Sequence, residues 1–203
     1  MALTCWKYLK RKQKTMPFKI SQTKIPEVLV VEPEVFGDSR GFFLETYHYK
    51  KYAEKGIEKP FVQDNHSRSS QGILRGLHYQ LKTPQAKLVY AATGEILDVA
   101  VDIRKGSPAF GKWVGIILSE ENRFQLYVPE GFAHGFCVLS ETADVIYKCS
   151  ELYSPGDDRG VNWSDKSINI NWPAKDPLLS DKDKKLPMLM EIPENLLPSY
   201  TTV

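Results

Sequence analysis

From Pro26 to about residue 172 the chain is written in short apolar runs of roughly 5 to 10 residues, set off by Gly, Pro, Asn or Ser-Glu turns. That spacing predicts an all-β sandwich or barrel. The runs include VLVVE (28–32), ILRGLHYQ, KLVYAATG, EILDVAVDI, KWVGIIL, FQLYVP, AHGFCVL and ADVIYKCSELY. Their internal period is two, so alternate side chains share a face. Leu74, Gly76, His78 and Gln80 line one face of a strand, and Lys87, Val89 and Ala91 one face of the next. Leu97, Val99, Val101 and Ile103 alternate with Ile96, Asp98, Ala100 and Asp102, giving a greasy face and one that carries two carboxylates. FVQDNHSRSS reads as a polar, partly lumen-facing strand. Residues 49–56 (YKKYAEKG) form the one convincing early helical turn, closed by a glycine. Residues 36–41 form a glycine-bounded turn leading into FFLETYHY. From Pro173 onward, five prolines and the cluster DKDKK predict a surface wrap of loop and short helix.

Several ionisable residues fall on strand faces that otherwise alternate correctly. His134, in PEGFAHGF, points with Phe136 and Val138, and Tyr147 points with Val145 and Cys149. With His78, Lys87 and Asp98, five strands, expected to be adjacent, each donate one such side chain. A single buried polar group is commonly structural, and His78 or Tyr147 taken alone reads equally well as a hydrogen-bonded core residue. Five on separate strands are hard to accommodate except around a polar cavity. PEGFAH has the spacing of the second cupin motif, which in metal-binding cupins supplies a ligand. The first motif should offer two histidines one residue apart, yet Gln80 stands at the second position and Lys87 would repel a cation. No metal is expected. A histidine, a lysine and a tyrosine suit removal of a proton from a carbon next to a carbonyl and its return to the other face, which inverts the carbon.

Composition narrows the partners. The 203 residues, 42% hydrophobic and 26% charged, suit one domain with a substantial core. Residues 1–15 hold Lys7, Lys10, Arg11, Lys12 and Lys14 and no acid; removing those five from the formal +2 leaves −3 on the remainder. A nucleic-acid binder keeps its basic face on the folded part, so that class is disfavoured. Residues 1–15 read as a basic, disordered tail, or as sequence upstream of a start at Met16, and residues 16–203 as one domain with its barrel over about 25–172 and its wrap over 173–203. The apolar start is too short and wrongly placed for a secretory signal, and no run reaches transmembrane length. Cys5, Cys137 and Cys149 are unpatterned, which points to the cytoplasm and to neither disulfides nor a thiolate metal site.

The stretches QDNHSRSSQGILRGLHYQ, QAKLVYAATGEILDVAVDIRKGSPAFGKW, LSEENRFQLYVPEGFAHGF and LSDKD, in order over about residues 25–183, resemble the dTDP-4-dehydrorhamnose 3,5-epimerase family. The resemblance implies a double-stranded β-helix (cupin jelly roll) and a homodimer. It also implies conversion of dTDP-4-dehydro-6-deoxyglucose to dTDP-4-dehydrorhamnose without cofactor or metal. By position, the family's base falls on His78, its orienting carboxylate on Asp183, its proton donor on Tyr147 and its enolate-stabilising lysine on Lys87. Nucleotide and sugar contacts fall on Arg40, Phe43, Glu45, Gln63, Asn65, Arg75, His134, Tyr153, Asp158 and Lys182, with the Arg40 region reaching into a neighbouring subunit's site. Asp98 is expected to pair with Lys87 or His134. Arg75 and His78, three apart, should face opposite sides of a regular strand, and Gly76 permits a bulge that re-aims one of them. Asp158 stands where the family usually has glutamate, and the basic N-terminus has no counterpart. A single-carbon epimerase, a non-catalytic nucleotide-sugar-binding cupin and a metal-dependent cupin oxygenase, the last disfavoured by Gln80, are the competing readings.

Overall fold

The computed structural model describes residues 18–201, so the proposed basic tail, Cys5 and Met16 lie outside the described residues. In chain order the strands are β1 (Phe18–Gln22), β2 (Leu29–Pro33), β3 (Val35–Asp38) and β4 (Gly41–Leu44). A short helix α1 (Tyr49–Ala53) precedes β5 (Gln63–Ser70), β6 (Leu74–Gln80), β7 (Lys87–Thr93), β8 (Glu95–Asp102) and β9 (Trp113–Ser119). The series ends with β10 (Gln125–Val128), β11 (Phe132–Val138), β12 (Thr142–Cys149) and β13 (Asp158–Gly160). Strands β1-β2-β10-β7-β12-β5 form one sheet and β13-β6-β11-β8-β9 the other, with every pairing antiparallel. This is the expected jelly roll.

The two sheets face each other across one apolar core. Val89, Ala91, Leu126 and Val145 from the six-stranded sheet meet Ile96, Ala100, Leu118, Phe136 and Val138 from the other. The inward side of β8 is therefore the one that carries Asp98 and Asp102, both fully buried. The greasy side of β8 turns outward and is buried as well. Val99, Val101 and Ile103, with Leu77 and Ala133, are capped by Val161, Ile168, Leu189, Ile192 and Leu197 from the segment after the barrel. Leu189, Ile192 and Leu197 lie in the stretch 173–203 expected to wrap the surface, which carries 3-10 turns at Asp183–Lys185, Leu189–Glu191 and Glu194–Leu196, whereas Val161 and Ile168 precede it.

The outer face of the six-stranded sheet has a smaller core of Val31, Tyr52, Ile57 and Leu88. Helix α1 supplies Tyr52, whose hydroxyl donates to Gln125 Oε1 and Thr46 O at 3.0 Å. The helix is shorter than the sequence predicted but stops at the same glycine: Gly56 takes φ +93° and Ile57 N–H returns to Tyr52 O. Residues 36–41 are part of a β3–β4 hairpin that stands apart from both sheets, with Val35, Phe36, Phe42 and Phe43 exposed. Among the described residues no helix is long and apolar enough to cross a membrane.

Candidate active site

A cleft of about 440 Å³ opens between the sheets, lined by Arg75, His78, Lys87, His134, Tyr147 and Asp183 among others. A second lobe of about 330 Å³ shares His78, Lys87, Tyr147 and Lys182 with it and adds Gln63, Asn65, Gln80, Tyr153 and Asp158. Four of the five ionisable strand residues line the cleft and Asp98 lies behind His134, with one correction to the expected arrangement. They lie on two facing sheets, β6-β11-β8 and β7-β12, and not on five neighbouring strands.

Local backbone chemistry explains how Arg75 and His78 reach one cleft. Opposite β11, His78 pairs with His134 but Arg75 pairs with Phe136, so β6 carries one residue more than its partner between these points. This is the expected bulge. Gly76 sits at its centre with φ +112°, and a Cβ there would lie 2.6 Å from His134 O and 2.7 Å from Gly135 Cα. Only glycine allows both the conformation and the approach.

His78 Nε2 lies 2.7 Å from Asp183 Oδ1. An ionised carboxylate only accepts, so the bond fixes Nε2–H and leaves the lone pair of neutral imidazole on Nδ1. Asp183 comes from the first 3-10 turn of the wrap and is 3% exposed. Burial pushes its carboxyl up, but the bond and charge of His78 and donors from Gly76 and Ser180 outweigh this and hold it below the usual range. His134 Nε2 lies 2.8 Å from Asp98 Oδ1, so Asp98 pairs with His134, one of its two expected partners. The cleft thus holds two His–Asp pairs whose histidines face each other across β6 and β11.

Lys87 stands on the opposite wall. Burial lowers its ammonium pKa, partly offset by Cys149, Asp98 and Asp158 and reinforced by Lys182. Tyr147 is raised, chiefly by burial and by Cys149, against a lowering by Arg75. At the mouth, Tyr153 Oη donates to Asp158 Oδ2 at 2.8 Å, and Lys182 pairs with the same oxygen. Tyr153 N–H donates to Gln63 Oε1, and Gln63 Nε2 to Asn65 Oδ1. Arg75 Nε donates to Ser69 Oγ at 3.0 Å.

Eleven of the residues singled out in the sequence line the two lobes, and Asp98 backs them through His134. Arg40, Phe43 and Glu45 do not line them. Arg40 is exposed on the hairpin and paired with Asp38, Phe43 is 58% exposed, and Glu45 is held by Lys51 at 2.8 Å. Sequence reasoning passed over Ser67, Cys149 and Ser180, which also line the lobes. Ser180 Oγ accepts the Asp183 N–H at 3.1 Å, and the spacing Ser-x-x-Asp was its signal. Cys149 was readable from the alternation that places Tyr147. Gln80 belongs to the scaffold: its amide reaches Thr83 O and accepts from Ser154 N–H, tying two loops at the cavity wall. Among the described residues no group of three or more His, Cys, Asp or Glu is arranged to hold a metal ion.

Fold and cavity together define a cupin-type barrel enclosing an acid–base site with a cationic wall. The family described as dTDP-4-dehydrorhamnose 3,5-epimerase matches residues 22–191. The dTDP-4-dehydrorhamnose 3,5-epimerase of Shigella flexneri is 60% identical over 166 residues, 81% of this chain and 92% of the relative. That of Pseudomonas aeruginosa is 53% identical over 169 residues, 82% and 93% of the two chains. A crystal structure of dTDP-6-deoxy-D-glucose-3,5-epimerase from Legionella pneumophila, in complex with dTDP-4-keto-L-rhamnose, superposes with a TM-score of 0.90 at 49% identity, covering 92% of this chain and all of the other. This chain belongs to the dTDP-4-dehydrorhamnose 3,5-epimerase family.

Proposed function

We propose that this chain is an isomerase that inverts C3 and C5 of dTDP-4-dehydro-6-deoxyglucose to give dTDP-4-dehydro-L-rhamnose, with no cofactor or metal. The observation that carries the reading is His78 on one sheet, paired with Asp183 of the C-terminal wrap and facing Tyr147 and Lys87 on the other sheet, within one cleft. The C4 carbonyl acidifies the hydrogens on both neighbouring carbons. His78 takes the proton from C3 or C5, the C–H electron pair moves into an enolate, and the negative charge gathers on O4. Lys87 stabilises that charge in a site where burial strengthens the interaction. Burial holds the Tyr147 phenol protonated, so it, or a water, delivers a proton to the opposite face. His134, oriented by Asp98, binds the sugar beside the reacting carbons.

The rest of the cleft is read as the nucleotide site. Arg75 and Lys182 neutralise the diphosphate, Tyr153 offers a flat face to thymine, and Gln63, Asn65 and Asp158 supply polar contacts. Arg40, Phe43 and Glu45 serve the site of a second copy, in a homodimer joined through the exposed β3–β4 hairpin. The same reading places the protein in the cytoplasm, with Cys137 and Cys149 kept as buried free thiols.

Incubation with dTDP-4-dehydro-6-deoxyglucose in deuterated water tests the assignment. Solvent label at both C3 and C5 of the product is expected. Label at one carbon would reduce the activity to a single-carbon epimerase, and binding without label would leave only a nucleotide-sugar-binding cupin.

A further inference from the structure

We infer that Ser67 is a specificity-determining contact for a ring hydroxyl of the sugar, an inference that rests on the epimerase reading of this cleft. Strand β5 presents an inward face that is polar from end to end. Gln63, Asn65, Ser67 and Ser69 alternate along it with the exposed Asp64, His66, Arg68 and Ser70. Three of the four inward groups are satisfied within the fold. Gln63 accepts from Tyr153 N–H and donates to Asn65, Asn65 Nδ2 reaches Cys149 Sγ, and Ser69 Oγ accepts from Arg75 Nε. Ser67 Oγ is closed to solvent and has no hydrogen-bond partner among the described residues.

A buried hydroxyl without a partner is unfavourable, and nothing in the packing calls for one. The residue paired with Ser67 on β12 is Val145, an apolar core residue, so alanine would fill the place without that cost. Ser67 nevertheless lines the same lobe as Arg75, His78, His134 and Tyr147, where the sugar has to lie for His78 and Tyr147 to flank it. Its hydroxyl, closed off in this rotamer, meets its missing partner when rotation about χ1 turns it into the lobe beside the ligand. Phosphate charge suits the cations Arg75 and Lys182, whereas a serine, donor and acceptor at once, matches a neutral hydroxyl. The substrate's sugar ring carries two, at C2 and C3. A site built to hydrogen-bond a hydroxyl rejects an analogue that lacks it, because the protein group is then left unpaired.

The test uses the full chain as wild type, Ser67→Ala and Ser67→Thr, with dTDP-4-dehydro-6-deoxyglucose and its 2-deoxy and 3-deoxy analogues. Exchange of solvent deuterium at C5 is the readout common to all three, and dTDP affinity is measured by calorimetry. Wild type should prefer the full substrate over one analogue by about tenfold or more, and Ser67→Ala should erase that preference while lowering kcat/KM for the full substrate by roughly tenfold. Affinity for dTDP, which lacks the dehydro-deoxyhexose ring, should not change, and Ser67→Thr should restore discrimination. Undiminished discrimination in Ser67→Ala, or a parallel loss of dTDP binding, overturns the inference alone. Absence of exchange in the wild type overturns the epimerase reading and this inference with it.

Discussion

Asp183 reaches His78 from 105 positions further along the chain, and their contact of 2.7 Å joins the C-terminal wrap to the barrel interior. The proposed base is thus oriented by a segment outside both sheets. That segment is fastened by a bridge between Ile73 and Leu178 and by bonds from Leu74 N–H to Leu178 O and from Leu178 N–H to Gly72 O. Asp183→Asn should lower kcat by about 10²- to 10⁴-fold, the range associated with a general base and its orienting group. Because the folded-state pKa of Asp183 is held low, its stabilisation is present above the ordinary carboxylate value and lost as pH falls through the lower one. Melting curves of wild type and Asp183→Asn should therefore converge on acidification.

On the proposed mechanism Lys87 sets the alkaline side of the rate profile. It acts as an ammonium, and burial makes it lose its proton below the ordinary lysine value. The kcat/KM profile should fall at a pH lower than free lysine titrates, and Lys87→Met should remove the activity. The same burial disfavours the folded state. The folded chain binds this proton more weakly, so the wild type gains stability as pH rises from the folded to the unfolded pKa. Lys87→Met should then be more stable than wild type by about 1 kcal/mol at neutral pH, with the gap closing at high pH. Paired denaturant titrations at the two pH values read this directly.

Tyr147→Phe separates the two halves of the reaction. Proton removal by His78 survives, while delivery from the other wall is lost. Substrate recovered from deuterated water should carry label with its configuration retained, and inversion should slow by about 10²-fold or more. Equal slowing of exchange and inversion would remove Tyr147 from the donor role.

Much of this architecture was legible in the alternation of side chains. Period two placed His134, Phe136 and Val138 on one face and Tyr147, Val145 and Cys149 on another, and the structure keeps both sets inward. Periodicity alone did not say which face of β8 turns inward, because the wrap buries the outer one too. Nor did it show that the contributing strands divide between two sheets, since strand order depends on crossovers that leave no mark in local pattern. Asp183 was visible only through the family resemblance, for its partner lies in a distant strand. Ser67 was hidden among polar neighbours, and only the hydrogen bonds of those neighbours set it apart.

Gly76 was legible as an opportunity for a bulge, and the structure makes it a requirement. Gly76→Ala would press a methyl group into the backbone of His134 and Gly135 at a positive φ. Strain of this kind combined with overpacking should cost about 3 kcal/mol, read as a lower urea midpoint. Activity in the surviving folded fraction should fall as well, because the bulge is what turns Arg75 and His78 toward one cleft.

The hairpin poses the remaining question, since Arg40, Phe43 and Glu45 stand away from the cleft of their own chain. Phe36 and Phe43 pair across β3 and β4 and are both exposed, as are Val35 and Phe42. An apolar, two-stranded arm whose strands pair only with each other, and which leaves these side chains exposed, gains most by docking against a second copy. Arg40, at the hairpin tip between β3 and β4, would then act in the partner's cleft. Complementation tests this. Arg40→Ala and His78→Asn chains, each impaired alone, should recover activity when unfolded and refolded together. In random pairing half of the dimers are mixed, and each mixed dimer has one site free of both lesions, so about a quarter of all sites should work. If Arg40 served its own chain, every site would carry one lesion and mixing would restore nothing. Phe43→Ser should shift the sedimenting species toward monomer and raise KM together, as expected when one surface both holds the dimer and completes the site.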